Sequence, residues 1–356
     1  MSSLSKKPPL FFKITVAIIS VVLFVAVAEF TLRTIDPELS YKNQMFPLNR
    51  DIDFPEFYEK DSRLFWKIRA NQKMESRWFS NITYTTNSLG LRGPVIKEKS
   101  NAHRILALGN SCTFGWGVMY DDCWTMQLQK LLKETYAKDS YEVINAGIPG
   151  YTSYQGKILF KKLLPLKPDR VLIMHGWNDH WRAGRDVSDA EQNPPPQFIF
   201  DIQNSLSKLK LYKLLRKMTL SLSEDTTLAQ MDDITGKRRV SQKEFSLNLK
   251  EIIAMARENN IEPILLVPPI ASLENYIGSD MHSNFHLIHK KYQDVIITVG
   301  EYENVQVVNL QTQFDKHNDL FSDARNDPIH FNEKGHRVAA DEIFGSMSAK
   351  SEFADK

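Results

Sequence analysis

From His103 onward the chain repeats one pattern: a short apolar, β-prone run, then a stretch with helical periodicity. The runs fall at 104–108, 141–145, 170–174, 263–267 and 305–310. The helical stretches between them include 121–136 and 241–259, the second with Phe245, Leu249, Ile252, Ile253 and Ala256 on one face. Strands that are apolar throughout need cover on both faces, and strands separated by helices pair in parallel. The pattern predicts an α/β fold with a parallel sheet of about five strands. Such sheets take ligands at the carboxyl ends of their strands, and each motif described below follows one of the runs.

Charge and cysteine content narrow the field. The 356 residues carry 45 Lys+Arg against 43 Asp+Glu, a net charge of +2, which gives no concentrated basic surface for nucleic acid. Two cysteines exclude a disulfide-rich scaffold and a four-cysteine zinc module. Cys112 and Cys123 are expected as free, buried thiols.

The first segment stands apart. Lys6, Lys7 and Lys13 precede or interrupt an apolar run that extends from Leu10 to Ala28, close to the length of a membrane-spanning helix. A basic flank stays cytoplasmic, which places everything after Glu29 on the other side of the membrane, in a periplasmic or other extracytoplasmic space. The run is either an uncleaved anchor or a signal peptide cut after the small-x-small triplet Ala26-Val27-Ala28. The anchor is favoured, because no turn residue precedes the triplet and 21–27 is strongly apolar.

The expected organisation is a basic stub and transmembrane helix at 1–33, an irregular aromatic-rich segment at 34–100, a main domain at 101–348 and a tail at 349–356. Within 34–100, residues 76–86 alternate enough for a hairpin strand, and Asn87-Ser88-Leu89-Gly90 reads as a turn. An insertion at 181–240 breaks the alternation of the main domain. It holds Pro194-Pro195-Pro196 and a basic amphipathic stretch at 205–222, read as a helix packed on the domain or lying on a membrane surface.

Four short segments carry chemistry. Gly109-Asn110-Ser111-Cys112-Thr113-Phe114-Gly115 follows the first run and exposes a serine in a strand-to-helix turn. A serine needs a base to become a nucleophile. Asp327-Pro328-Ile329-His330 follows the last run, and an Asp three residues before a His on a turn reaches that imidazole's Nδ1, leaving Nε2 to face the serine. Asn145 to Gly150 supplies glycines whose N–H groups can approach a substrate oxygen, and His175-Gly176-Trp177-Asn178-Asp179 supplies a side-chain amide.

Taken in this order, the four segments resemble the SGNH hydrolases of the GDSL esterase/lipase superfamily, over about 103–344. The resemblance implies a flavodoxin-like three-layer α/β/α fold. It assigns the nucleophile to Ser111, the acid and base to Asp327 and His330, and the oxyanion hole to Ser111, Gly150 and Asn178. The segment 34–100, with Asn87 to Gly93, is similar to the leader of membrane-anchored bacterial members. The family usually has Asp where Asn110 stands; Asn makes similar hydrogen bonds without the charge.

The function expected from these residues is ester hydrolysis through an acyl-enzyme, on an acylated carbohydrate (for example O-acetylated) or lipid of the cell envelope, with no cofactor. An envelope polysaccharide O-acyltransferase using the same residues is the alternative, and a non-catalytic glycan-binding or assembly protein is the second. Trp116, Trp177 and Trp181 flank the motifs and are candidate substrate platforms, although tryptophans serve core packing at least as often. Arg92 and Arg182 are weighed as anchors for an anionic group against intramolecular pairing. His282, His286 and His289 share a helical face with no nearby carboxylate or cysteine to complete a metal set, so no metal is expected; a solvated histidine face is.

Overall fold

The computed structural model describes residues 9–35, 57–76, 79–136, 141–221, 236–272, 280–324 and 327–349. The basic stub before Pro9, residues 36–56 and the tail beyond 349 lie outside the described residues, as does Trp78.

The chain opens with helix α1 (Leu10–Ile35), none of whose residues is buried. Its mean hydropathy reaches 2.7, and it is long and apolar enough to cross a membrane. Two short antiparallel pairs follow: β1 (Tyr58–Asp61) with β2 (Phe65–Ile68), and β3 (Lys73–Glu75) with β4 (Thr83–Thr85). Among the described residues of the hairpin strand expected at 76–86, Thr83–Thr85 form a strand. The Asn87 turn is present: its Oδ1 accepts from the N–H groups of Leu89 at 2.9 Å and Leu91 at 3.1 Å.

The parallel strands are β5 (His103–Gly109), β6 (Tyr141–Gly147), β7 (Arg170–Met174), β8 (Glu262–Val267) and β9 (Gln306–Asn309). They run in the order β6-β5-β7-β8-β9. Interleaved are α2 (Ser111–Phe114), α3 (Trp124–Thr135), α4 (Ser153–Leu163), α5 (Gln197–Leu206), α6 (Lys210–Ser221), α7 (Gln242–Glu258), α8 (Asp280–Glu303), α9 (Leu310–Phe314) and α10 (Glu333–Ser348). The first strand lies between the second and the third, so the chain reverses its winding beside β5, and the crevice opens there at the carboxyl ends.

The period-two geometry of a strand explains the unbroken apolar runs. Leu106 and Leu108 of β5 pack with Phe160 of α4 and Ile252 of α7, while Ile105 and Ala107 face Leu128 of α3 and Ala340 of α10. Neither face of the strand meets water. Phe57, Trp66 and Tyr84, from the short antiparallel pairs and the residue before them, belong to the first of these two clusters.

The insertion differs from expectation. The helix read at 205–222 is present from Lys210 to Ser221 as α6, but 205–206 end a separate helix, α5, and the chain turns between them over 207–209. At the end of α5 the Ser207 hydroxyl donates to the Asn204 carbonyl at 2.7 Å and accepts from the Arg69 guanidinium at 2.9 Å.

Candidate active site

Ser111 begins α2 immediately after β5. The preceding residue, Asn110, is fully buried and caps the helix: its side-chain oxygen accepts from the Cys112 N–H at 3.0 Å. Asparagine is among the best N-caps, and this bond needs no negative charge. The Ser111 N–H heads the helix, where there is no intrahelical acceptor. The neighbouring strand comes very close: a Cβ on Gly147 would collide with the Phe114 amide. Asn145 fastens that approach, donating to the Thr113 carbonyl at 2.8 Å and accepting from the Gly147 N–H at 3.0 Å.

The far end of the same turn is held by Arg92. Its side chain is buried, and its guanidinium donates to the carbonyls of Phe114 (2.6 Å), Gly115 (2.6 Å) and Val118 (2.7 Å). It also lies over the rings of Tyr84 and Phe114, at 4.9 and 4.8 Å. Of the two roles weighed for Arg92, intramolecular pairing is the one observed. Arg182 approaches Asp186 at 3.5 Å.

The turn after β9 and α9 carries the other partners. His330 Nε2 lies 2.8 Å from Ser111 Oγ, and His330 Nδ1 lies 2.7 Å from Asp327 Oδ2. The second carboxylate oxygen accepts from the backbone N–H groups of Ile329 (3.2 Å) and His330 (3.1 Å). Burial alone would raise the Asp327 carboxyl, but these bonds from His330 and Ile329 outweigh it and hold the group below the usual carboxylate range. Asp327 is therefore ionised at neutral pH and fixes the imidazole by its Nδ1 side. Burial and then the Asp327 charge push the Cys112 thiol well up, so it stays protonated. Both cysteines are free and buried.

The two loops beyond β6 and β7 lie against each other. Gly150 sits at φ 82°, a conformation that favours glycine, and its N–H has no backbone acceptor among the described residues. The Asn178 amide donates to the carbonyl of Tyr151, the next residue, at 3.1 Å, which leaves its second N–H for another acceptor. Asp179 ties this arrangement down. Its Oδ1 accepts from the N–H (2.8 Å) and hydroxyl (2.6 Å) of Ser153 at the start of α4, and its Oδ2 accepts from the Gly176 N–H at 3.0 Å.

A buried ion pair braces the Gly150 loop from behind. Arg239 and Asp189 are both fully buried and meet through two hydrogen bonds, at 3.1 and 3.0 Å. Arg239 also donates to the Gly150 carbonyl at 2.8 Å, and Asp189 accepts from the Thr152 hydroxyl at 2.7 Å. Trp66 adds a bond to the Pro149 carbonyl at 3.2 Å. Sequence reading placed Asp189 and Arg239 in the insertion, outside any motif, and no local pattern marks them; the fold alone brings them to Gly150.

The tryptophans divide. Trp177 is 1% exposed, stacked on His289 at 3.6 Å with Phe285 on its flank, so its ring is interior. Trp116 is half-buried, stacks on Tyr84 at 5.4 Å, and donates its backbone N–H to the Ser111 carbonyl at 3.0 Å. Trp181 is half-buried against both core clusters. The solvated histidine face expected on α8 is absent at His289, which is fully buried and bonds His180 at 3.2 Å. Burial drives the His289 ring down to about 3, so it is neutral. The His282 side chain lies outside the described residues. Among the described residues no group of three or more His, Cys, Asp or Glu is placed to hold a metal ion.

Asp179 gives a pH signature. Burial outweighs its hydrogen bonds and raises its carboxyl to about 6. The folded protein then holds this proton more tightly than the unfolded chain does. The associated stability is complete at low pH and is lost as pH rises through about 6. Between roughly pH 4 and pH 6.5 the wild-type chain is expected to lose about 2 kcal/mol from this group that Asp179→Asn does not lose. Urea unfolding of both proteins across that range measures the difference; parallel curves would assign Asp179 an ordinary carboxyl.

Comparison with known proteins gives a family match. The sequence model of the GDSL-like Lipase/Acylhydrolase family matches residues 107–338, more than half of the chain. Comparison with curated protein sequences gave no match. Among solved structures, a lipase/acylhydrolase from Enterococcus faecalis is similar at 20% identity and a TM-score of 0.46, covering 70% of this chain and 96% of its own. A catalytic mutant of an acetylxylan esterase from Geobacillus stearothermophilus is similar at 16% identity and 0.45, covering 70% and 96%. A psychrotrophic esterase from Pseudoalteromonas is similar at 18% and 0.43, covering 69% and 97%. The family match spans the first, second and third loops and the last, each at the carboxyl end of the sheet, and on it the chain belongs to the GDSL-like lipase/acylhydrolase family of ester-bond hydrolases.

Proposed function

We propose that this chain is a serine ester hydrolase that works through an acyl-enzyme with Ser111, His330 and Asp327 as its triad. The observation that carries the reading is the continuous chain of contacts from Ser111 Oγ through His330 Nε2 (2.8 Å) and His330 Nδ1 to Asp327 (2.7 Å). His330 takes the Ser111 proton as Oγ attacks the acyl carbonyl, then returns it to the departing alcohol. Asp327 holds the imidazole in the tautomer that leaves Nε2 able to accept. A water activated by the same His330 then attacks the acyl carbon, and Ser111 is restored. The N–H groups of Ser111 and Gly150 and the second N–H of Asn178 hold the oxyanion.

The substrate is an acylated carbohydrate or lipid of the cell envelope. Trp116, half-buried and adjoining the serine turn, is the proposed aromatic contact. Helix α1 is an uncleaved anchor that leaves the catalytic domain on the extracytoplasmic side, with the basic stub inside. Assay of the full chain with p-nitrophenyl acetate and an O-acetylated oligosaccharide, with and without an acceptor sugar, tests the reaction. Free acid released at the same rate in both cases supports hydrolysis; acyl groups on the acceptor would assign transfer instead.

Asn178→Ala is expected to lower kcat by about a hundredfold to a thousandfold with KM little changed, because an oxyanion donor acts mainly in the transition state. Steady-state kinetics reads the split, and an unchanged kcat would remove Asn178 from the oxyanion hole.

A further inference from the structure

The insertion carries an apolar face that the folded domain does not cover, and helix α1 fixes where that face sits. The inner side of α5 is fully engaged with β1: Asn204 exchanges two hydrogen bonds with the Lys60 backbone, each 2.9 Å, and Gln197 accepts from the Ser62 N–H at 2.8 Å. The outer side presents Phe198, Ile202 and Leu206, spaced four apart and 61%, 55% and 39% exposed. On α6, Leu215 is exposed as well, at 52%. Lys208 precedes α6, Arg216 and Lys217 directly follow Leu215 on it, and α6 contains no acidic residue. Apolar residues interleaved with Lys and Arg are the composition of a helix that lies in a membrane interface.

Position supplies the independent argument. Helices α1 and α6 are in contact, through a cap that α1 provides. The Glu29 carboxylate accepts from the N–H groups of Lys210 (3.1 Å) and Leu211 (2.9 Å), the orphan donors at the start of α6. Arg33, four residues on, pairs with Glu29 at 2.7 Å and reaches the Lys208 carbonyl at 3.5 Å. Glu29 directly follows the apolar run, which ends at Ala28 and, at 1.5 Å per residue, spans about 28 Å of hydrocarbon. The first turn of α6 is therefore pinned at the depth where the bilayer core meets its headgroups.

We propose that α5 and α6 lie on the outer leaflet of the bilayer that α1 spans. Phe198, Ile202, Leu206 and Leu215 insert at the acyl boundary, and Lys208, Arg216 and Lys217 meet anionic phospholipid headgroups. The membrane contact is then a surface built into the catalytic domain as well as a tether. The inference rests on reading α1 as a membrane span.

The test places single nitroxide labels on the full chain in nanodiscs holding one copy each. The positions are Ile202→Cys and Leu215→Cys, with Leu23→Cys on α1 as lipid control and the 61%-exposed Leu287→Cys on α8 as solvent control. The native cysteines are buried and stay unlabelled. Collision rates with oxygen and with a neutral nickel chelate read depth. In discs containing phosphatidylglycerol, labels at 202 and 215 are expected to favour oxygen, as at 23, with the order inverted at 287. In phosphatidylcholine alone, the label at 215 is expected to become more accessible to nickel. Water-like behaviour at 202 and 215 while 23 stays in lipid would overturn the proposal, as would shielding from both reagents, which signals a protein cover. Water-like behaviour at 23 itself would overturn the membrane-span reading, and this inference with it.

Discussion

Ser111→Ala is expected to lower ester hydrolysis by about ten-thousandfold to a millionfold, and His330→Ala by a similar amount, with the fold intact. The two losses should not add. Once either residue is gone the other has nothing to act through, so the double variant should lie near the single ones. Substrate binding should survive, because neither side chain holds the substrate in its ground state. The prediction rests on distance: Ser111 Oγ and His330 Nε2 are 2.8 Å apart across 219 residues of sequence, a contact no core-packing role requires. Kinetics of the three variants beside circular dichroism checks it. Activity within a few fold of wild type in Ser111→Ala would point to a different nucleophile.

Arg239→Ala is expected to be the most destabilising single change outside the apolar core. It leaves the Asp189 carboxylate fully buried without its cation and strips the Gly150 carbonyl of a donor. Breaking a buried pair by removing one partner costs about 3–5 kcal/mol, which for a chain of this size lowers Tm by about 10 °C. Because the pair backs the Gly150 loop, activity measured well below Tm should fall too. Replacing both partners, as Arg239→Met with Asp189→Leu, should recover most of the stability but little of the activity, since Thr152 and Gly150 lose their polar neighbours. Calorimetry and kinetics on the single and double variants separate the two effects. Equal stability of Arg239→Ala and wild type would show that the pair contributes nothing net.

Much of the arrangement was legible in the sequence because it is local. Apolar runs followed by helical periods dictate a parallel sheet, and all five strands lie within about two residues of the bounds read from the pattern. Asp327 and His330 are three residues apart on one turn, so their contact follows from spacing. Ser111 and His330 meet only because β5 lies inside the sheet, between β6 and β7, and both motifs lie at the carboxyl ends of its strands, which the alternation implied without giving a distance.

The remainder was illegible for physical reasons. Arg92, Asp189 and Arg239 have no neighbours in sequence that reveal their partners, and a buried arginine looks like any other until the fold desolvates it. Trp177 sits inside a motif, yet its ring points into the interior against His289, and sequence alone does not give a side chain's direction. The end of α5 at Ser207, where Arg69 donates to its hydroxyl from well over a hundred residues away, has no signal in the local sequence.

The central claim is that Ser111 is an activated nucleophile. The most direct test treats the full chain with a fluorophosphonate probe and reads it by intact mass and peptide mapping, beside Ser111→Ala and His330→Ala. The account predicts one adduct, on Ser111, absent from the first variant and strongly slowed in the second. A folded wild-type chain that takes no adduct, or takes one on a different residue, would contradict it.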